Sequence, residues 1–124
     1  MPGYSEDRYQ AEKYYEEPVL LDLDSAAGIK HYLVFPGNVK ISEFFYVVNV
    51  AAAGDGAVVS LESGGVEKAT VAPLTTHLAG TMIKSTDIIA FECDEGTALA
   101  FKLKTALTTL AGDGFAGITY VQRL

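Results

Sequence analysis

Residues 41–50 read ISEFFYVVNV, and the reading of this run decides the fold. At two-residue spacing one face carries Phe44, Tyr46, Val48 and Val50, and the other carries Ile41, Phe45 and Val47. Apolar residues on both faces mark a central strand with no wet side, so each face needs a covering layer. In a small all-β domain the outer layer is an extra loop or another subunit. The expectation taken forward is a subunit, with Phe44, Phe45 and Tyr46 as the self-association face.

Working outward, the same grammar continues from Pro18 to the last residues. Short runs, alternating or wholly apolar, are separated by Gly, Asp, Asn and Pro. Strands are expected at 19–23, 30–35, 39–51, 57–63, 67–71, 81–84, 87–93, 98–104 and 116–123. The run ALAFKLK sets Leu99, Phe101 and Leu103 on one side and Lys102 and Lys104 on the other, which is a strand with one solvated face. Gly54, Asp55 and Gly56 sit between two such runs and predict a hairpin, because glycine supplies positive φ and Asp tolerates it. Gly112, Asp113 and Gly114 predict a second turn ahead of the last strand. Only 73–80 and 105–111 offer a helical turn, and both are too short to form a layer. Nine short strands over residues 18–124 point to an all-β sandwich or barrel, and the fold class taken forward is a single antiparallel β-sandwich.

Residues 1–17 differ in kind. They are dense in charge, contain Tyr4, Tyr9, Tyr14 and Tyr15, and have almost no aliphatic side chain. Fixing a segment of this length costs on the order of 17 to 34 kcal/mol of backbone entropy. Burying four tyrosines at roughly 200 Å² each returns at most about 20 kcal/mol. The segment is therefore expected to be an N-terminal arm, either a floppy tail or one that extends over a neighbouring surface with the four tyrosines as its anchors.

Composition narrows the function classes. The 124 residues carry a net charge of −7, which repels a phosphate backbone, and the nine Lys and Arg residues are scattered instead of forming a basic stripe. Neither nucleic acid nor an anionic membrane is an expected partner. The opening MPGYSEDRYQ lacks a basic and then apolar leader pattern, and the most apolar stretch is interrupted by Asn49, Asp55 and glycines, so neither a signal peptide nor a membrane span is expected. Cys93 is the single cysteine, which rules out an intramolecular disulfide. Its setting, IIAFEC, predicts a buried thiol, and Asp94 and Glu95 beside it disfavour the thiolate.

No catalytic motif emerges. GDGFAG at 112–117 matches G-x-G-x-x-G, but the dinucleotide fingerprint must open a helix after a strand, and here only a strand-like ITYVQRL follows. His31 and His77 lack the H-x-H pair with Glu that a cupin-type metal site needs, and read as structural residues. The serines have no nucleophile elbow. Asp22 and Asp24 would join Asp113 or Asp55 as oxygen ligands only if their loops met; otherwise they are a solvated strand edge. The chain is expected not to be an enzyme, with no cofactor and no metal.

The segments VKISEFFYVVNVAAAGDGAVVSLESGG and DIIAFECDEGTALAFKLKTALTTLAGDGFAGITYVQRL together resemble the small β-sandwich structural proteins of tailed-phage virions, especially capsid decoration (cement) proteins. The likeness covers most of the chain after Pro18 and lies in the alternation of β-branched strands with Ala, Gly and Thr. It carries no diagnostic motif, so no family site residue transfers. The resemblance implies a jelly-roll-like sandwich, often homotrimeric, made in the host cytoplasm and placed on the virion. Its arm would grip the major capsid protein or another virion protein. The alternative from another class is a carbohydrate- or receptor-binding sandwich that stacks sugars on Tyr32, Tyr46 or Tyr120.

Overall fold

The computed structural model describes residues 14–15, 18–87, 90–108 and 110–122. Its strands are β1 (Tyr14–Tyr15), β2 (Val19–Asp22), β3 (Lys30–Val34), β4 (Val39–Val50), β5 (Val58–Ser63), β6 (Val66–Val71), β7 (Met82–Lys84), β8 (Phe91–Cys93), β9 (Ala98–Thr105) and β10 (Asp113–Gln122). Each strand expected from the sequence is present, most within a residue or two of its expected ends. The last strand begins three residues early, at Asp113, so the expected second turn is largely absorbed into it. Among the described residues there is no helix.

Two antiparallel sheets pack face to face. In the first, β10 and β4 lie side by side, β1 and β2 flank β10, and β7 and β8 flank β4. The second runs β3-β9-β5-β6. Along the chain, β1, β2, β4, β7, β8 and β10 belong to the first sheet and β3, β5, β6 and β9 to the second, so six of the nine connections between described strands cross the sandwich. Strand orders β2-β10-β4-β8 and β3-β9-β5-β6 are those of a jelly roll.

This crossing corrects the expected hairpin at Gly54–Asp55–Gly56. Gly56 does take φ +114, but β4 and β5 lie in opposite sheets. Residues 51–57 climb from one sheet to the other with Ala52 and Ala57 buried along the way, and glycine signals a reversal without saying which sheet receives the chain. The hairpin is instead β5–β6, joined at Gly64 (φ +58) and Gly65 (φ +84). Positive φ at both central residues is the geometry that matches strand twist.

Pairing of β4 with β10 is the longest in the molecule, from Asp113 opposite Val50 to Gln122 opposite Val39. A register shift falls where Thr119 faces Glu43 and Tyr120 faces Ile41, leaving Ser42 as an extra residue. Its hydroxyl donates to the Thr119 carbonyl at 3.1 Å. The bulge resets the alternation, so Val39 and Ile41 join Phe44, Tyr46 and Val48 in the core. Ile41 thus leaves the face on which strict alternation placed it.

Two glycines of β10 make room for aromatic rings of β4. A Cβ on Gly114 would lie 2.4 Å from both Tyr46 Cζ and the Val47 carbonyl oxygen, and one on Gly117 would lie 2.6 Å from Phe45 Cζ. Tyr46 packs on the inner side, while Phe45 covers Gly117 on the outer side. The core between the sheets gathers Leu21, Leu23, Phe44, Val59, Leu61, Leu99, Phe101, Leu103 and Ile118, with the Phe44 and Phe101 rings stacked across the sheets at 6.1 Å. The Tyr46 hydroxyl is buried with no hydrogen-bond partner among the described residues, and desolvation, then the negative charges of Asp113 and Asp22, push its pKa upward.

Gly114→Ala is expected to lower unfolding free energy by about 1 to 3 kcal/mol, because the new methyl meets backbone as well as a ring. Tyr46→Phe, which deletes an unpartnered buried hydroxyl, is expected to raise it by about 1 kcal/mol. Urea denaturation of the two variants beside the parent checks both signs.

Candidate functional site

The expected self-association residues have no surface to offer. Phe44 and Tyr46 are fully buried in the core, and Phe45, at 2 % exposure, lies over Gly117 on the outer face. A second subunit is not what covers them, because the bulge and the two glycines accommodate all three rings within the protomer. Tyr14 and Tyr15 form β1, opposite Tyr120 and Thr119 of β10; Tyr4 and Tyr9 lie outside the described residues.

What the outer face of the first sheet does present is a row. Leu20, Phe115, Val47 and Met82 stand opposite one another in register across β2, β10, β4 and β7. Their sequence neighbours Leu21, Ala116 and Tyr46 point into the core, so alternation turns the row outward. Leu20 and Met82 are 49 % and 45 % exposed, and Phe115 and Val47 are half-buried. An apolar stripe four strands wide therefore lies on this outer face, on side chains other than Phe44, Phe45 and Tyr46.

The outer face of the second sheet is charged and internally paired. Glu62 on β5 is buried, although it faces away from the core. Its Oε1 lies 2.8 Å from Lys30 Nζ on β3 and its Oε2 lies 3.5 Å from Lys102 Nζ on β9. To reach Glu62, Lys30 must cross β9, and Ala100, opposite both Glu62 and Tyr32, leaves the space for it. Lys104 Nζ on β9 meets Glu67 Oε1 on β6 at 2.9 Å. Because β5 lies between these strands, that ion pair crosses over Ser60, which has 0 % exposure and an unpartnered hydroxyl. Hydrogen bonding to Lys30 holds the Glu62 carboxyl below the usual range against the opposing pull of desolvation, and the same bond raises the Lys30 pKa.

At one end of the sandwich the loops 23–29, 51–57, 72–81 and 106–112 meet. Leu23 N–H donates to the Gly112 carbonyl, Ala53 N–H to the Ala111 carbonyl, and Leu107 N–H to the Leu23 carbonyl. Carboxylates brace these loops: Asp55 accepts from Thr75 N–H at 2.8 Å and Asp113 from the Asn49 amide at 2.8 Å. Leu74, Leu78 and Leu110 stay exposed there. An open depression of about 470 Å³ lies between Asp24–Ala27 and Lys104–Thr108, lined mainly by small side chains.

Asp22 and Asp113 come opposite each other in register, but Asp55 is engaged elsewhere, and no group of three His, Cys, Asp or Glu that could hold a metal ion occurs among the described residues. His77 Nδ1 accepts the Leu74 N–H at 3.0 Å and so shapes its own loop, while His31 is exposed on β3. Cys93 is buried, and desolvation, with Asp94 adding to it, raises its pKa against a hydrogen bond with Ser63. Of the candidate sugar platforms, Tyr46 is buried, Tyr120 packs at 4.6 Å on Phe35, and Tyr32 is 68 % exposed. Sequence reasoning placed Lys102 and Lys104 on a wet face but missed Glu62, since only strand order reveals that β9 and β3 bring Lys102 and Lys30 to it. No protein-family model, curated protein or solved structure matches the chain.

A carboxyl with a depressed folded pKa contributes stability that is fully present above its unfolded pKa and is lost as pH falls through the folded value. Glu62→Gln is therefore expected to lower stability at neutral pH and to flatten the acid limb of the stability curve. Thermal unfolding from neutral to acid pH checks this; parallel curves for parent and variant would contradict the role given to Glu62.

Proposed function

We propose that the chain is a viral structural protein, a capsid decoration subunit that binds the assembled shell and stabilises it. The observation that carries the reading is the apolar row Leu20–Phe115–Val47–Met82 on the outer face of a jelly-roll sheet. An acidic protein with charge −7 gains little from leaving four apolar side chains in line on a flat sheet unless another protein covers them. β1 borders the same sheet, opposite Thr119 and Tyr120, and residues 1–13, which precede it in the chain, carry Tyr4 and Tyr9. A shell offers many equivalent sites, and repeated weak contacts by row and arm add up to durable attachment.

The carbohydrate-binding alternative is supported by one observation. Tyr32 stands exposed beside Ala100 and near the Glu62–Lys30 pair, an aromatic platform with polar groups at its margin. A single platform and no tryptophan make a sparse sugar site.

Co-sedimentation with shells assembled without the protein tests the first reading. Val47→Asp and Met82→Lys are each expected to weaken shell binding by at least about tenfold, and removal of residues 1–13, which spares β1, to weaken it further. Binding unchanged in all three would refute the mechanism, and saturable binding on a glycan array would favour the alternative.

A further inference from the structure

Exposed edges of a sheet carry unpaired N–H and C=O groups and are normally blunted. Among the described residues, three of the four edges are. On the first sheet, β1 and β2 are two and four residues long, and β7 and β8 three each, too short to template another strand. On the second sheet, β6 carries exposed Glu67 and Lys68 and a register shift against β5 at Leu61/Glu62. Its outward amide is also occupied, because Asp87 Oδ2 accepts from Thr70 N–H at 3.2 Å and from the Thr70 hydroxyl at 2.8 Å.

β3 has none of these devices. It runs five residues in unbroken register with β9, from Lys30 opposite Lys102 to Val34 opposite Ala98, and among the described residues it pairs on one side alone. Leu103 N–H donates to the Ile29 carbonyl. Alternation then turns the backbone groups of His31 and Leu33 toward β9 and those of Lys30, Tyr32 and Val34 toward the open side. Tyr32 and Val34 are 68 % and 53 % exposed. The lysine that would guard this edge is drawn inward, since Lys30 Nζ lies across β9 on Glu62.

The geometry points to β3 as a homodimerisation edge, where β3 of a second copy pairs antiparallel about a two-fold axis at Tyr32 and the two four-stranded sheets become one. The occupant is a second copy because the strand is self-complementary in this register. Tyr32 meets Tyr32 of the second copy and the two exchange both N–H···O bonds. Lys30 meets Val34 of the second copy, and its charge stays on Glu62, on the far side of β9 from the joint. Leu33 meets His31 of the second copy. The two Lys30 residues fall at opposite ends of the joint, which removes the like-charge contact that a parallel or shifted pairing would create. The aromatic pair at the centre contributes beyond its area. This inference concerns self-association alone and stands whether or not the protein binds a shell.

Native mass spectrometry and sedimentation over a wide protomer concentration range test it. The expected species has twice the 13.2 kDa protomer mass, with the Tyr32 and Val34 amides protected from hydrogen exchange in the dimer and unprotected on dilution. Tyr32→Lys is expected to reduce the mass to one protomer without changing the thermal unfolding of the fold. Tyr32→Pro removes the outward N–H, which β9 does not use, and is expected to do the same; should it misfold, Tyr32→Lys decides. A monomer at every concentration, a trimer, or a dimer untouched by Tyr32→Lys would overturn the proposal. So would protection of Tyr32 and Val34 that persists in the dilute monomer.

Discussion

The antiparallel contact between β4 and β10 is the constraint on which the rest of the structure depends. It is the longest ladder, it forms the middle of the first sheet, and four short strands gain their place only by pairing with one or other of its members. Its geometry is set by small residues. Gly114 and Gly117 leave the space that Tyr46 and Phe45 fill from opposite faces, and Ser42 adds the extra residue that turns Ile41 inward with Phe44. An aromatic-rich strand is tolerable at the centre of the sheet because its partner strand is nearly bare where the rings lie.

Much of the strand inventory was legible in the sequence, since alternation and glycine punctuation are local signals. The sheet assignment was not. Gly54–Asp55–Gly56 and Gly64–Gly65 both announce reversals, yet one carries the chain across the sandwich and the other folds it back within a sheet. What distinguishes them is the buried climb of Ala52 and Ala57, a tertiary fact. Likewise ISEFFYVVNV is a strand with apolar residues on both faces, but only Phe45 of the outer face is buried, over its own sheet partner at Gly117, while Val47 beside it stays half-buried. A single bulged serine is invisible to a periodicity argument, and it moves Ile41 to the other face.

The two outer faces solve the same problem by opposite means. On the second sheet the long cations in the middle each have a carboxylate, Lys102 on the neighbouring strand's Glu62, and Lys30 and Lys104 reaching over one strand to Glu62 and Glu67. The charges of that face are paired within the protomer, and Tyr32 and Val34 stay exposed at its β3 edge. The first sheet offers Leu20, Phe115, Val47 and Met82 to the surroundings with no polar cover of their own. The two faces therefore differ in proportion: ion pairs dominate the second, while the first combines the apolar row with one pair, Lys84 on Glu43 at 2.9 Å.

The short flanking strands have a consequence for how the domain yields. Each long strand of the first sheet is bordered by two brief ones instead of one continuous neighbour: β1 and β2 along β10, β7 and β8 along β4. A fracture that starts at the Tyr14–Tyr120 corner strips β1 without entraining β2, and one at the Met82–Val47 site frees β7 while β8 still holds Val39 to Ile41. Damage arrives in small separable pieces, so the periphery can breathe, or be tugged by something attached to it, while the central ladder keeps the domain's shape.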